Sequence, residues 1–474
     1  MTSGKKGSII PSLSMIAGSE GFVIKKRERD MLHGPLAMNI LLYTIPIILT
    51  SYLQLLFNAA DLVVVGRFCG SVSVAAVGVT GAITNLIINL FMGLSVGAGV
   101  AVAHAIGSRE ALVVHRTVHT ALFTALIGGV VLTVVGIVYS PTFLRWMDTP
   151  ENVLPLSSTY MRIYFGGITF TLVYNYCTSI LRAAGDTQSP MVILMVAGAV
   201  NVILNVIFVA AFHLNVAGVA LATVISQALS AVAVTVVLMR RRDDIRFYPS
   251  KMRIYLPQLK KIIRIGLPAG IQSSTFSVSN VIIQSAMNSF GEVLVSGNAA
   301  VSNIEGFCYA TVNGFHQAAV NYIGQNVGAQ QFDRVKKIFR LSVTYAALAG
   351  LLVGGAVTIF RRPLLGIYIT DSQEALAIGM TRIFFTSAPY FLYGLLDAAA
   401  GALRGMGASA ISMVISILGI CGSRLLWIFT VFQLPQLHTP ICLYSSYPIS
   451  WILTAIAEFI VFPIIFRRIS AQRQ

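Results

Sequence analysis

The stretch "YTIPIILTSYLQLLFNAADLVVVGRF", residues 43–68, decides the fold class. A helix needs about 20 mostly apolar residues to cross a hydrocarbon core roughly 30 Å thick, and this stretch is long and apolar enough. It nevertheless contains one carboxylate, Asp61, whose nearest basic residue is Arg67. The stretch therefore predicts a membrane-spanning helix that carries a lone acid.

The composition of the whole chain indicates the same class. Of 474 residues, 56% are hydrophobic and only 11% are charged, and the mean hydropathy is +0.79, which excludes a water-soluble globular protein. The apolar runs are continuous and lack the alternation of membrane-barrel strands, so they predict helices. Twelve candidate spans lie near residues 38–66, 75–106, 117–139, 158–181, 189–212, 215–239, 265–290, 297–327, 338–360, 378–402, 409–432 and 441–466.

The distribution of basic residues predicts the topology. The net charge is +16, but the basic residues gather in alternate loops, above all in residues 240–264. The positive-inside rule then places both termini in the cytoplasm and predicts a multi-pass protein of the plasma (inner) membrane. We expect the positive surface to face water and membrane lipid and not nucleic acid. Residues 1–36 are expected to form a flexible tail, because their basic and apolar segments do not follow the order of a signal peptide.

An internal repeat predicts the architecture. A shift of 222 residues places Pro46 on Pro268 and "LRAAG" (181–185) on "LRGMG" (403–407). We therefore predict an all-α polytopic membrane protein whose twelve transmembrane helices form two six-helix bundles, as parallel copies with the substrate site between them. The predicted divisions are an N-terminal cytoplasmic tail (1–36), a first bundle (37–240), a basic cytoplasmic linker (241–264), a second bundle (265–468) and a C-terminal tail (469–474).

Polar residues form one stripe on the opening helix of each half. The two stripes are Ser51, Gln54, Asn58 and Asp61 in the first half and Ser273, Ser277, Asn280 and Gln284 in the second. Polar groups that face lipid go unsatisfied at a cost of several kcal/mol each, so both stripes are predicted to face protein or a watery cavity. Hydrogen bonding between helices is an equal alternative for the serines and Gln284.

Four acidic residues lie well within predicted spans: Asp61, Glu305, Asp397 and Glu458. Such acids usually mark an ion pathway or a structural ion pair. Asp61 has no basic residue within reach on its helix, so we predict an ion-coupling role for it, shared with Gln54 and Asn58 of the same stripe.

The acids of the second half allow two interpretations. Asp397 and Glu305 either pair with Arg424, which we take as the one arginine deep within a span, or bind an ion or substrate together with Asn280. Glu458 is expected to be structural or interfacial.

No catalytic motif is present in the sequence, so an enzyme is not predicted. The pair His115 and His119 lacks a third ligand nearby, and the five cysteines are scattered, so neither a metal site nor a disulfide framework is expected. Glycines at four-residue spacing in "GLSVG" (93–97), "GLLVG" (350–354) and "GALRG" (401–405) predict close helix packing.

Several motifs together resemble the multidrug and toxic compound extrusion (MATE) family, in particular its prokaryotic DinF-like branch. The motifs are "IPIILTSYLQLLFNAADLVVVGR" (45–67), "LRAAGDTQSP" (181–190), "VAGVALATVISQ" (216–227), "IGQNVGA" (323–329) and "LRGMG" (403–407). The resemblance covers nearly all of the chain after residue 36. It implies twelve helices in two bundles and export of amphipathic, often cationic organic compounds in exchange for protons or sodium ions, with no other cofactor. We expect a monomer.

The resemblance also assigns roles to residues of the first half. Asp61 matches the first-helix coupling aspartate of the proton-coupled branch, and Pro46 matches the kink proline that acts as a hinge. Asn175 and Asn201 match polar positions around that acid. Asn205 departs from the pattern, because relatives often carry a second acid where this chain has an amide that cannot titrate.

In the second half, Asp397 matches the helix-ten aspartate on which sodium-coupled relatives rely, but helix seven lacks their acid. Proton coupling is therefore favoured, and sodium coupling stays open.

Two other functions are alternatives. One is a flippase for lipid-linked oligosaccharides, which would need a cationic cavity, and the other is a membrane receptor or scaffold that transports nothing. Aromatic residues are further candidates to line the cavity and attract cations, although most are expected to be packing: Tyr160, Tyr164, Phe165, Tyr174, Tyr309, Phe384, Tyr390 and Tyr393.

Overall fold

The computed structural model describes residues 29–370 and 372–473, and every regular element in these ranges is helical. The first half contains α1 Leu36–Phe68, α2 Ser71–Gly107, α3 Ala111–Trp146, α4 Leu154–Gly166, α5 Ile168–Ala183, α6 Gln188–Val206 and α7 Asn215–Arg240. The second half contains α8 Leu256–Asn288, α9 Glu292–Gly328, α10 Phe332–Ile359, α11 Arg361–Gly366, α12 Gln373–Thr386, α13 Tyr390–Gly405, α14 Ser409–Ser416, α15 Ser423–Phe429 and α16 Pro440–Arg473.

Irregular turns interrupt several of the predicted spans. The predicted span 158–181 is divided at Gly167 into α4 and α5. The span 378–402 is divided between α12 and α13, which are bent by 47°. Single π-helical segments, Ile207–Ala211 and Ile417–Gly422, follow α6 and α14. Each of the twelve predicted apolar segments nevertheless falls on helical structure.

Eight helices in the described ranges are long and apolar enough to cross a membrane, or nine if the bent pair of α12 and α13 counts as one span. The result confirms an all-α polytopic membrane protein. Helices α8 and α9 are long enough, at 33 and 37 residues, but their many serine, asparagine and glutamine residues lower their mean hydropathy below that of these eight helices. The number of twelve spans stays a prediction.

Two predicted boundaries differ from the structure. Residues 256–264, expected in the linker, form the first turns of α8. Residues 469–473, expected in the C-terminal tail, continue α16. In both cases basic residues extend a helix beyond its apolar part, because charged side chains at a helix end reach water without breaking the backbone hydrogen bonds. Most of the predicted N-terminal tail, residues 1–28, lies outside the described residues.

Glycines bring the two halves together where α2 crosses α8. A Cβ atom added to Gly93 would lie 2.0 Å from the Gly270 nitrogen, and one added to Gly97 would lie 2.5 Å from the Gly266 nitrogen. The backbones are therefore in direct contact, and only glycine allows this separation. The predicted packing role of "GLSVG" (93–97) is confirmed.

The halves also meet between α2 and α9. A Cβ atom on Gly107 would lie 2.0 Å from the Gln325 carbonyl oxygen, and one on Gly328 would lie 2.2 Å from that of His104. The Gln325 side chain in turn donates a hydrogen bond of 2.6 Å to the Ala183 carbonyl. These contacts lie at the end of the molecule where Arg109, residues 240–264 and Arg334 are found, which we call the basic end. The halves are closed against each other at this end.

We predict that Gly93→Ala destabilises the protein by about 1–3 kcal/mol, because the new methyl group overpacks the backbone of α8. Thermal unfolding of the purified protein measures the change. The matched control is Gly78→Ala on the same helix, since nothing lies within 4 Å of the added carbon there and alanine favours a helix. Equal unfolding temperatures for the two variants would contradict the backbone contact.

Candidate functional site

The polar stripe of α1 faces a cleft between the halves. Gln54, Asn58 and Asp61 follow the lipid-exposed Ile45 by nine, thirteen and sixteen residues, which at 3.6 residues per turn places them on the opposite side of the helix. Towards the basic end this side is buried, as at Ile47, but Gln54 and Asn58 are exposed. Their exposure is therefore to a cleft that opens away from the basic end.

Asp61 is held by neutral amides. The Asn205 side-chain nitrogen donates a short hydrogen bond to a carboxylate oxygen of Asp61 and lies 3.3 Å from the side-chain oxygen of Asn201. Asn201 and Asn205 are buried, while Asp61 is half-buried on the cleft side. No basic side chain in the described ranges forms an ion pair with Asp61. Asn205 thus contacts Asp61 directly, whereas Asn201 is linked to Asp61 only through Asn205.

The π-helical segment Ile207–Ala211 begins two residues after Asn205. Such segments are frequent at functional sites because they re-aim the side chains around them. Asn205 reaches Asp61 because α6 packs directly on α1, where Gly198 lies against the Phe57 ring.

The other candidates of the first half have separate partners. Asn175 donates a hydrogen bond of 2.8 Å to the Thr171 carbonyl of its own helix, and within the described part of the chain no hydrogen bond joins it to Asp61. Pro46 is buried in α1, which continues through it as one helix. The Thr50 hydroxyl donates a hydrogen bond of 2.6 Å to the Pro46 carbonyl. The hinge role of Pro46 stays a prediction.

A cavity of about 330 Å³ lies inside the second half and reaches Asn89 of α2. Three second-half candidates line it: Asn280, Glu305 and Arg424. Of the aromatic candidates, Tyr309, Tyr390 and Tyr393 also line it, together with Phe276, Tyr447 and Trp451. The fourth candidate, Asp397, lies outside this lining.

The predicted pairing of Glu305 with Arg424 is wrong. Glu305 accepts a hydrogen bond of 2.9 Å from Arg382 and another, shorter one from the Thr386 hydroxyl. Arg424 instead donates to the Ser450 hydroxyl at 2.9 Å and stacks on the Tyr447 ring at 4.1 Å from its centroid. Arg382 stands one turn before Thr386 on α12, so this helix presents both partners to Glu305 at once.

The predicted pairing of Asp397 with Arg424 is also wrong. A carboxylate oxygen of Asp397 lies 3.1 Å from Nδ1 of His316, and the Asp397 carbonyl lies 2.8 Å from the same nitrogen. Arg404 lies 3.2 Å from His316 Nε2 and donates 2.7 Å to the Gln272 oxygen. Because a guanidinium can only donate, Nε2 accepts and the proton of the ring sits on Nδ1, facing Asp397.

Sequence reasoning missed Arg382, Arg404 and His316 as parts of this polar interior. Arg382 lies within the predicted span 378–402 and is only 4% exposed, so Arg424, at 6%, is not the one deep arginine. The position of Arg382 within an apolar run was a readable signal that it needs an anionic partner. Glu458 is fully buried and receives a hydrogen bond of 3.4 Å from Ser412, so its structural role stays a prediction.

The same repeat that relates the two halves appears in a family match. The sequence matches the MatE family model twice, over residues 46–207 and over residues 268–429. The chain belongs to the MatE family. The second match begins 222 residues after the first, which is the shift that superimposes the two halves. As a MATE transporter, the chain is a membrane transport protein and not an enzyme.

Known relatives extend over most of the chain. The chain is 26% identical over 416 residues to the probable multidrug resistance protein YoeA of Bacillus subtilis, covering 86% of this chain and 89% of YoeA. It is 25% identical over 398 residues to the probable multidrug resistance protein YpnP of the same organism, covering 82% and 87%. Its fold is similar to that of a MOP superfamily transporter from Pyrococcus furiosus, with a TM-score of 0.87, 21% identity and coverage of 94% and 99%.

We predict that Arg382→Gln lowers the free energy of unfolding by about 2–3 kcal/mol, because it leaves the half-buried Glu305 without its cation. The double variant Glu305→Gln, Arg382→Gln is expected to recover most of this loss, since neither charge remains. Thermal unfolding of the purified proteins measures both. The control Glu374→Gln removes an exposed acid from the same helix and is expected to change little. Additive losses in the double variant would show that the two side chains do not interact.

Proposed function

We propose that the chain exports amphipathic organic cations from the cell in exchange for protons that bind and leave Asp61. The observation that carries this proposal is the isolation of Asp61: a carboxylate on the cleft side of α1 whose only described partner is a neutral amide. Titratable groups without a fixed counter-ion inside a membrane are typical of proton pathways. The names of the relatives YoeA and YpnP, which refer to multidrug resistance, support an organic substrate.

Proton coupling is favoured over sodium coupling by the chemistry around Asp61. Asn205 turns its NH₂ group, a donor, towards the carboxylate and thereby occupies a lone pair that a metal cation would need. Neither Asn201 nor Asn205 can titrate, so Asp61 alone can change charge in this group. In the second half, Glu305 and Asp397 already have nitrogen partners, which makes them poorer candidates for a sodium site.

The mechanism alternates between two states of Asp61. Charged Asp61 attracts a cationic substrate into the cleft, and protonation from outside removes this attraction so that the substrate leaves. Linkage requires the reverse as well: binding of the cation favours release of the proton. The hinge at Pro46 would allow α1 to move between the two arrangements, since a proline leaves one helical hydrogen bond unmade.

The energetics limit the exchange. One elementary charge moved through 100 mV supplies about 2.3 kcal/mol, which corresponds to a roughly fifty-fold gradient. Exchange of one proton for one monovalent cation moves no net charge. It therefore needs a pH gradient, and the membrane voltage adds nothing.

We propose that the chain lies in the plasma (inner) membrane, with the basic end and both termini in the cytoplasm. The contacts of Gly107 and Gly328 between α2 and α9 then close the cytoplasmic side, and the cleft beside Asp61 opens to the outside. This is the state in which the mechanism loads a proton and releases substrate. We propose a monomer as the working unit.

The flippase alternative is less well supported. A pyrophosphate headgroup needs several cations, whereas the cation of Arg382 is already neutralised by Glu305 and Arg424 alone remains in the cavity. The receptor or scaffold alternative predicts no flux at all. A transport assay in proteoliposomes separates it from both transport functions.

We predict that Asp61→Asn abolishes pH-driven export of the cationic dye ethidium, reducing it by at least about 100-fold, because an amide cannot carry the proton. Efflux from vesicles that contain the purified variant measures the rate, and an unchanged unfolding temperature confirms that the variant folds. The matched control is Asp148→Asn, which changes an exposed acid between α3 and α4. It should export at the wild-type rate.

The same assay with and without sodium tests the coupling ion. Sodium-independent export that Asp61→Asn abolishes agrees with the proposal. Export that requires sodium and survives in Asp61→Asn would overturn it and transfer the coupling role to the acids of the second half.

A further inference from the structure

The cavity of the second half contains one cation that no acid neutralises. Arg424 lines this cavity and is 6% exposed. Its Nε atom donates to the neutral Ser450 hydroxyl, and one face of the guanidinium stacks on Tyr447. Within the described ranges, no carboxylate forms an ion pair with Arg424, and its two terminal nitrogens make no hydrogen bond. A buried guanidinium with open donors is costly unless something supplies acceptors.

Glu305 cannot neutralise Arg424 without stranding another charge. Both of its carboxylate oxygens are engaged, one by Arg382 and the other by Thr386. Arg382 is 4% exposed and would be left buried and unpaired if Glu305 turned away. The cavity wall therefore keeps a net charge of about +1 from Glu305, Arg382 and Arg424 together.

The rest of the wall is aromatic. Trp451 packs edge-on against Tyr390 and Tyr393, with ring centroids 5.6 Å apart in both pairs. Tyr447 lies 6.1 Å from the same ring and also carries the Arg424 stack. The volume of about 330 Å³ is within the roughly 300–1,000 Å³ range of pockets that bind small molecules. Aromatic walls around a single charge suit a flat ring system that carries the opposite charge.

The cavity is connected to the space between the halves. Asn89 of α2 lines it and donates a hydrogen bond of 3.1 Å to Ser277 of α8. Asn280, on the polar stripe of α8, lines it as well. A molecule in the cavity would therefore contact both halves and would be subject to their relative movement.

We propose that this cavity binds aromatic carboxylates, with the carboxylate on the open donors of Arg424 and the ring against Tyr447 and Trp451, and that the transporter exports this class of compound in addition to cations. A planar guanidinium with two free donors matches a carboxylate in geometry as well as in charge. The export part of this inference rests on the proposed exchange with protons, whereas the binding part does not.

The inference has an electrical consequence. When one proton enters and one carboxylate leaves, both movements carry positive charge inward, so two charges move per cycle. An interior-negative potential should therefore speed export of a carboxylate several-fold. Exchange of a proton for a monovalent cation moves no net charge and should not respond.

Binding is measured with anthracene-9-carboxylate, a fluorescent anion, added to the purified protein in lipid nanodiscs. We expect the wild type to bind it and Arg424→Gln to lose at least tenfold in affinity, while the neutral analogue anthracene-9-carboxamide binds both proteins equally weakly. Arg340→Gln removes an exposed arginine at the basic end and is the matched control, with wild-type affinity expected. Arg424→Lys keeps the buried charge but lacks the planar guanidinium, so it should bind with intermediate affinity. If Arg424→Gln does not fold, Arg424→Lys takes its place in the comparison.

Three results would overturn the proposal. The wild type and Arg424→Gln could bind the carboxylate with equal affinity, or the folded wild type could fail to bind it. If only the lysine variant folds, equal affinity of Arg424→Lys and the wild type would also overturn it.

Export is then followed in proteoliposomes with anthracene-9-carboxylate and ethidium, with and without an interior-negative potassium diffusion potential. Loss of carboxylate export in Arg424→Gln with ethidium export unchanged supports the proposal. Carboxylate export that ignores the potential contradicts the proton exchange.

The two proposals fail in different ways. If the wild type exports neither probe, the proposed export function is wrong, and the export part of this inference falls with it, while the binding comparison still decides the carboxylate site. If ethidium is exported and the carboxylate neither binds nor is exported, only the carboxylate site is wrong.

Discussion

The contact between the α2 and α8 backbones is the constraint on which the rest of the structure depends. Four glycines, Gly93, Gly97, Gly266 and Gly270, let two long helices from different halves touch without side chains between them. Because lipid offers apolar helices no hydrophobic reason to associate, close backbone packing of this kind supplies much of the attraction between them. The contact of α9 with α2 at Gly107 lies at the basic end, and the contact of α8 with α2 continues from there to the middle of α2, so the halves separate towards the other end. The polar side of α1 is exposed there and nowhere else along the helix.

Within this frame, the chain treats its interior charges in three ways. Glu305 has a cation and a hydroxyl, so its charge is fully compensated. Asp397 faces a histidine whose other nitrogen is held by Arg404. Asp61 has only an amide. In a medium of low dielectric, removing one partner of a compensated pair costs far more than changing the charge of a group that has none. The Glu305 pair therefore holds α9 and α12 together, whereas Asp61, like the buried Glu458, forms no ion pair among the described residues.

The sequence predicted features that depend on local pattern or on the repeat. The apolar runs predicted where helices form, the 222-residue shift predicted the two halves, and the stripe on α1 predicted that Asp61 faces away from lipid. The ion pairs were mispredicted, because Glu305 and Arg382 are 77 residues apart and their meeting depends on how α9 packs against α12. Helices α8 and α9 show that a polar stripe lowers the mean hydropathy of a helix without preventing its prediction, since the apolar runs near residues 265–290 and 297–327 still mark both.

The repeat shows at which matched positions the two halves differ in charge. The 222-residue shift places Asp61 on Ile283 and Arg424 on Val202, so each half has a charged residue where its copy has an aliphatic one. Each of these charges lacks an ionic partner among the described residues, and Arg424 lines the cavity of the second half. Two halves with the same fold therefore present a carboxylate on one side and a guanidinium on the other. An anionic and a cationic group would therefore each find attraction in a different half.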